Sequence, residues 1–68
     1  MRIIEIIGET PETRQYDKCV FIITNDGEIW SEDKILGFCR RTDTTKIRLR
    51  EHIAHLKNEG FTINDFCL

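Results

Sequence analysis

Cys19-Val20-Phe21-Ile22-Ile23-Thr24 is the stretch on which the fold of this 68-residue chain turns, because it reads in two ways. A continuous apolar run has no period of its own, so a strand and a buried helical segment both accommodate it. Its β-branched and aromatic content favours a strand. Asn25-Asp26-Gly27 follows, a turn signal that closes a hairpin onto Glu28-Ile29-Trp30. In the other reading, Thr13 to Ile23 is one amphipathic helix that buries Tyr16, Val20 and Ile23 and ends near Gly27. The first reading leads to an antiparallel sheet packed against one or two helices, the second to a largely helical core.

Upstream, Ile3, Ile4, Ile6 and Ile7 form a β-branched run that a sheet accommodates better than a short helix, so 2–7 reads as a strand. Gly8 to Glu12 breaks it. A helix start is available there, with Thr10 as cap, Pro11 at the first helical position and acids at Glu12 and Asp17. Downstream, Ser31 reads as a helix cap with Glu32 and Asp33 in the first turn, and Ile35, Leu36, Phe38 and Cys39 continue at helical spacing to Arg40. Gly37 weakens that helix by about 1 kcal/mol relative to alanine.

After a polar link at 41–44, the helical pattern resumes. Asp43, Thr44 and Thr45 are each able to cap it, Leu49, Ile53 and Leu56 set one apolar stripe, and Gly60 supplies a left-handed stop. Phe61-Thr62-Ile63 then alternates as a strand, Asn64-Asp65 fits a two-residue turn, and Phe66-Cys67-Leu68 returns as a short hairpin. The expectation is a single α+β domain over 1–68, with N-terminal strands, a helix-turn-helix at 31–59 and a short C-terminal hairpin. The alternative is the antiparallel sheet on one or two helices.

Charge is segregated along the chain. Arg40 to Lys57 holds six Lys/Arg (Arg40, Arg41, Lys46, Arg48, Arg50, Lys57) against Asp43 and Glu51, a local charge of +4. Elsewhere four bases face ten acids, a charge of −6, so a chain of net charge −2 gathers its cations on one element. That balance excludes a coat protein basic throughout and leaves room for one basic recognition surface. A chain this short hides only about 60% of the surface its unfolded form exposes, so self-association or a partner is a natural supplement. No run approaches the roughly 18 apolar residues of a membrane span, and no signal-peptide pattern follows Met1. Cys19, Cys39 and Cys67 are odd in number and lack CxxC spacing, which suits reduced thiols in a cytoplasmic protein, two of them as small core hydrophobes.

The segment Leu49-Arg50-Glu51-His52-Ile53-Ala54-His55-Leu56-Lys57-Asn58-Glu59-Gly60-Phe61-Thr62-Ile63 resembles the recognition helix and the start of the wing in winged helix-turn-helix DNA-binding domains of the biotin-repressor type. Thr45-Lys46 falls where that family opens the helix with a Ser-Arg pair, and Phe38-Cys39 where its preceding helix has Leu-Ala. GEIWSEDKIL, Gly27 to Leu36, is similar to the segment leading into the second helix of response-regulator effector domains. The resemblance covers about 27–63. It implies a small winged-helix-like domain with a trihelical core whose first helix comes from CVFIIT, acting as a transcriptional or mobile-element regulator that binds duplex DNA as a dimer.

With the apolar stripe turned inward, Arg48, His52, His55 and Glu59 form a second stripe and Lys46, Arg50 and Lys57 a third. Lys46, Arg48, Arg50 and His52 are thereby the candidates for the major groove, while Arg40, Arg41, Thr44 and Thr45 are placed to hold phosphates. Four to six phosphate contacts predict a log–log salt slope of roughly −4 to −5. Solvation of one helix face is the plainer use of the same charges. His52 and His55 with Cys39 or Cys67 lack the second ligand pair that a zinc site needs, so neither a metal nor a cofactor is expected. No nucleophile elbow, Gly-rich phosphate loop or carboxylate pair points to an enzyme. The rival function is a protein-interaction module or inhibitor of the kind mobile elements carry, with the acids Glu5, Glu9, Glu12, Asp17, Asp26, Glu28, Glu32 and Asp33 imitating phosphates towards a basic protein partner.

Overall fold

The computed structural model describes residues 1–10, 12–33 and 35–67. It has strands β1 (Arg2–Glu9), β2 (Tyr16–Ile23), β3 (Ile29–Asp33) and β4 (Gly37–Arg40), then helix α1 (Lys46–Asn58) and strand β5 (Thr62–Cys67). The five strands form one sheet in the order β4-β3-β2-β1-β5, and every neighbouring pair is antiparallel. The fold is therefore α+β, a meander of four strands from which α1 carries the chain back to the far edge, where β5 pairs with β1. No described helix is long and apolar enough to cross a membrane.

Cys19 to Ile23 of the ambiguous CVFIIT run lie in β2, and Asn25-Asp26-Gly27 turns the chain onto β3 as the turn signal predicts. Thr24 secures the turn: its N–H donates to the Glu28 carbonyl at 2.9 Å, and its hydroxyl oxygen accepts from Glu28 N–H at 3.0 Å. The helix read over Thr13 to Ile23 does not form. Between β1 and β2 the chain instead closes a loop in which Arg14 N–H donates to the Thr10 carbonyl at 2.8 Å and Thr10 N–H to that of Gln15 at 3.0 Å. The expected placing of Pro11 at a first helical position lies outside the described residues.

Residues 31–40 correct the expected helix-turn-helix. Ser31 is no cap but a β3 residue, 1% exposed, whose hydroxyl accepts from Arg41 Nε. The Asp33 carboxylate takes the N–H groups of Ile35 at 2.8 Å and Leu36 at 3.0 Å, and Gly37 at φ +78 turns the chain into β4. Ser, Asp and Gly carry the same hydrogen-bonding and dihedral freedom into turns as into helix ends, and pairing with β2 selects the turn. Ile35 and Leu36, which a helix would have buried, are 92% and 75% exposed at the hairpin tip.

The expected C-terminal hairpin is likewise one strand. Asn64 and Asp65 find long-range partners instead of turning: Asn64 Nδ2 donates to Glu5 Oε1 at 3.1 Å, and Asp65 pairs with Arg2. Ile63 sits opposite Ile6. The expected return through Leu68 ends outside the described residues.

Ile4, Ile6, Ile23, Ile29 and Leu49 are the buried core, with Phe21, Ile53, Leu56, Phe61 and Ile63 packed around it. All the sheet residues among these share the face that α1 covers. Cys19 and Cys39 are half-buried and Cys67 is exposed, all with free thiols, and burial pushes the Cys19 thiol up. Trp30 Nε1 is buried and has no acceptor among the described residues.

Three surface carboxylates give the fold a pH dependence. A hydrogen bond from Lys18 holds Glu5 below its ordinary pKa, the Thr24 hydroxyl does so for Asp26, and the N–H groups of Leu36 and Ile35 do so for Asp33. A carboxyl whose folded pKa is depressed stabilises the fold above its unfolded pKa and ceases to do so as pH falls through the folded value. The melting temperature should therefore hold between pH 7 and about 5 and fall below about pH 4. A calorimetric series across that range checks it, and a midpoint that rises on acidification would contradict it.

Candidate nucleic-acid interface

Helix α1 presents the site, and its ends follow from local chemistry. The Thr45 hydroxyl oxygen accepts from Arg48 N–H at 3.2 Å, capping the first turn. At the other end Gly60 N–H donates to the Lys57 carbonyl at 3.1 Å and Phe61 N–H to that of Leu56 at 3.0 Å, with Gly60 at φ +99. This is a Schellman stop, the glycine taking the left-handed conformation that other residues resist. Between these caps Leu49 is buried, and Ile53 and Leu56 are half-buried over the sheet.

The expected contact residues of α1 are free. Lys46, Arg48, Arg50 and His52 are exposed, and none has an ion-pair partner among the described residues. They do not crest the helix, however. At 100° per residue the outermost ridge, opposite Leu49, Ile53 and Leu56, runs through Ile47, Glu51, Ala54 and Asn58. Ile47 is 69% exposed there.

The cations flank this ridge. On one side Lys46 and Arg50 border a cleft of about 290 Å³ shared with Arg2 and Asp65 and floored by Ile4, Ile23, Ile53 and Ile63. On the other, His52 borders a second cleft of about 190 Å³ with Arg41, Thr44, Asp43 and Phe21. His55, further along, is held by Glu59 at 3.1 Å.

The two arginines of the link part company. Arg41 lies on the α1 side, its Nε on Ser31 and its N–H donating to the Ile29 carbonyl at 2.7 Å. Arg40, one residue earlier in a strand, stands opposite Trp30 on the other face, and its guanidinium is bound to Glu28 at 2.9 Å. The structure thus sets Lys46 and Arg50 on one flank of α1 and Arg48 and His52 on the other, with Arg41 and Thr44 beside His52, while Arg40, though bound to Glu28, borders a third cleft of about 440 Å³ with Arg41, Thr44, Thr45 and Lys46. Arg2 joins the Lys46 flank unforeseen, since only the pairing of β1 with β5 brings it there.

The first turn of α1 contains no acid, while Lys46 and Arg48 stand in it. Cations at a helix N-terminus oppose the macrodipole at about 0.3 to 1 kcal/mol each, so this end sacrifices stability for concentrated positive potential. Among the described residues no group of three or more His, Cys, Asp and Glu side chains could hold a metal ion, and His52 and His55 do not converge with Cys39 or Cys67. Compared with known proteins, the chain matches no family model, no curated protein and no solved structure.

Proposed function

We propose that the protein binds duplex DNA through the α1 surface, as a small regulator that grips the phosphate backbone more than it reads bases. The observation that carries this is the set of exposed cations Lys46, Arg48 and Arg50, without ion-pair partners among the described residues, on a helix whose capped first turn holds no acid. Thr44 and Thr45 add hydroxyl donors, and His52 adds an imidazole on the Arg48 flank. Because the outer ridge offers Ile47, Glu51, Ala54 and Asn58, the helix is poorly equipped to read base edges along its crest, which favours phosphate contact from the flanks. The resemblance to winged helices enters through the helix that runs into Gly60-Phe61 and a strand. The trihelical core is not part of the proposal.

The acidic alternative has less support. Of the eight acids that could imitate phosphates, Glu5 is paired with Lys18, Glu28 with Arg40, and Asp33 is spent on its own turn. What remains is scattered rather than arrayed.

The test is fluorescence anisotropy with labelled duplex DNA over a salt series. With Arg41, Lys46, Arg48 and Arg50 as the phosphate contacts, the log–log slope should be about −3.5, with affinity in the micromolar range and little sequence preference. Lys46→Glu plus Arg48→Glu should abolish binding yet raise the melting temperature, since acids there complement the dipole. Wild-type protein that leaves the anisotropy unchanged at low salt would end the proposal, as would a charge-reversed protein that binds normally.

A further inference from the structure

The sheet has a second face, and no described element covers it. Strand register places Phe66, Ile3, Ile22, Trp30 and Arg40 in one row across all five strands, on the side away from Leu49 and α1. Ile7, Val20 and Phe38 extend the apolar area on that side. Phe66 and Phe38 are 52% and 45% exposed. Water thus meets a row of aliphatic and aromatic side chains on this face, bordered by Asn64, Glu5, Lys18 and Glu32, although a sheet with a single covered layer normally turns a polar face outward.

The surface area indicates what such a face needs. The chain exposes 5338 Å² for a mass of 8.1 kDa. A compact monomer of that mass exposes about 4500 Å². The excess is roughly 850 Å², close to the roughly 800 Å² that each partner contributes to a stable interface of ordinary size.

The charges on this face favour a like surface as occupant. Lys18 is bound to Glu5 at 3.0 Å, Glu5 also accepts from Asn64, and Arg40 is bound to Glu28 at 2.9 Å. The exposed Glu32 stands on the same face close enough to Lys18 to help Glu5 hold its pKa up, so acids and bases are interleaved across this face and a two-fold axis can set those of one copy against those of the other. It is poorly suited to a polyanion, since among the described residues its acids Glu5, Glu9 and Glu32 outnumber its cations Lys18 and Arg40, both of which are engaged.

We propose that two copies of the chain pack these open faces together across a two-fold axis, forming a four-layer dimer of helix, sheet, sheet and helix. Stacked sheets lie about 10 Å apart with side chains interdigitating, so the aromatic row becomes a core shared between copies. Both α1 helices lie on the outer layers, and their cationic flanks remain open whether or not DNA is their ligand.

Sedimentation equilibrium of the full chain from about 1 to about 200 μM, with Trp30 fluorescence followed over the same dilution, tests this. The expected result is a mass of twice 8.1 kDa, with Trp30 emission shifting to longer wavelength as the dimer dissociates. Phe38→Glu plus Phe66→Glu, at positions exposed enough in the single chain to tolerate charge, should weaken the dimer at least about 100-fold while the circular dichroism of the sheet is kept. If that variant fails to fold, the wild-type dilution decides: dissociation without a Trp30 shift overturns the proposal. A wild-type chain that stays monomeric throughout overturns it too, and so does a folded double variant that remains dimeric, which would move the contact to the strand edges. Lys46→Glu plus Arg48→Glu protein should dimerise normally, which separates this outcome from that of DNA binding.

Discussion

Leu49→Ala leaves most of the protein unfolded at 25 °C, with the helical signal near 222 nm lost together with the sheet. Leu49 is 3% exposed and is the one described residue of α1 that is fully buried, meeting Ile4, Ile6, Ile23 and Ile29 beneath the helix. Removing a buried leucine side chain costs about 2.7 to 5 kcal/mol. A single core in a chain of this size rarely supplies more than about 3 to 5 kcal/mol in total. The helix has no reserve of its own. Its 13 residues are at the length where an isolated helix is marginal, and its first turn carries cations against the dipole. Ile47→Ala on the same helix is the control: its side chain is 69% exposed and alanine is the better helix former, so the melting temperature should hold or rise. Urea titrations of both variants check this, and a Leu49→Ala protein within about 1 kcal/mol of wild type would mean that α1 is not held to the sheet through this residue.

The same helix shows why some of the architecture was legible in the sequence. Thr45, the 49, 53 and 56 stripe and Gly60 are local signals, each acting within one turn, and no distant partner competes for them. The Asn25-Asp26-Gly27 turn is local in the same sense. Residues 31–40 are different, because Ser31, Asp33 and Gly37 suit a helix start and a β-turn equally, and the choice is made by Ile22 and Phe21 of β2. The C-terminal strand depends on a partner still further away, since Asn64-Asp65 turns only in the absence of Glu5 and Arg2. The helices that the resemblance to winged helices implied at 19–24 and 31–40 fall at the same points, where the chain forms β2, β3 and β4. A capped helix followed by Gly, an aromatic and Ile describes any helix that feeds a strand, and it carries no information about what lies beside it.

Of the site, the charge segregation was legible because composition survives any fold. The parting of Arg40 from Arg41 was not, because neighbouring residues share a surface in a loop or helix turn but point to opposite faces in a strand. The open apolar face did leave a trace. Ile3, Ile4, Ile6 and Ile7 place isoleucines on both faces of β1, the pattern of a strand covered twice rather than of one with a wet side.

Gly8→Val should be nearly as damaging as the loss of Leu49, although glycine in a strand is ordinarily a weakness that a β-branched residue repairs. The reason is contact. A Cβ at Gly8 would lie 2.5 Å from Phe61 Cδ2 and 2.7 Å from its Cγ, inside any tolerated separation. The ring cannot simply turn away, since Phe61 N–H is fixed to the Leu56 carbonyl at 3.0 Å and the side chain packs against the core. Relief requires the end of α1 or the β1–β5 pairing to move, and overpacking costs about 1 to 3 kcal/mol, the upper end applying where backbone must shift. A Phe61→Ala background removes the obstacle. Gly8→Val in that background should then cost little or become favourable, so the two substitutions should be coupled by more than about 1 kcal/mol in a double-mutant cycle followed by urea denaturation. Additive costs would show that the ring and the glycine are not in contact, and that something other than this close approach requires glycine on β1.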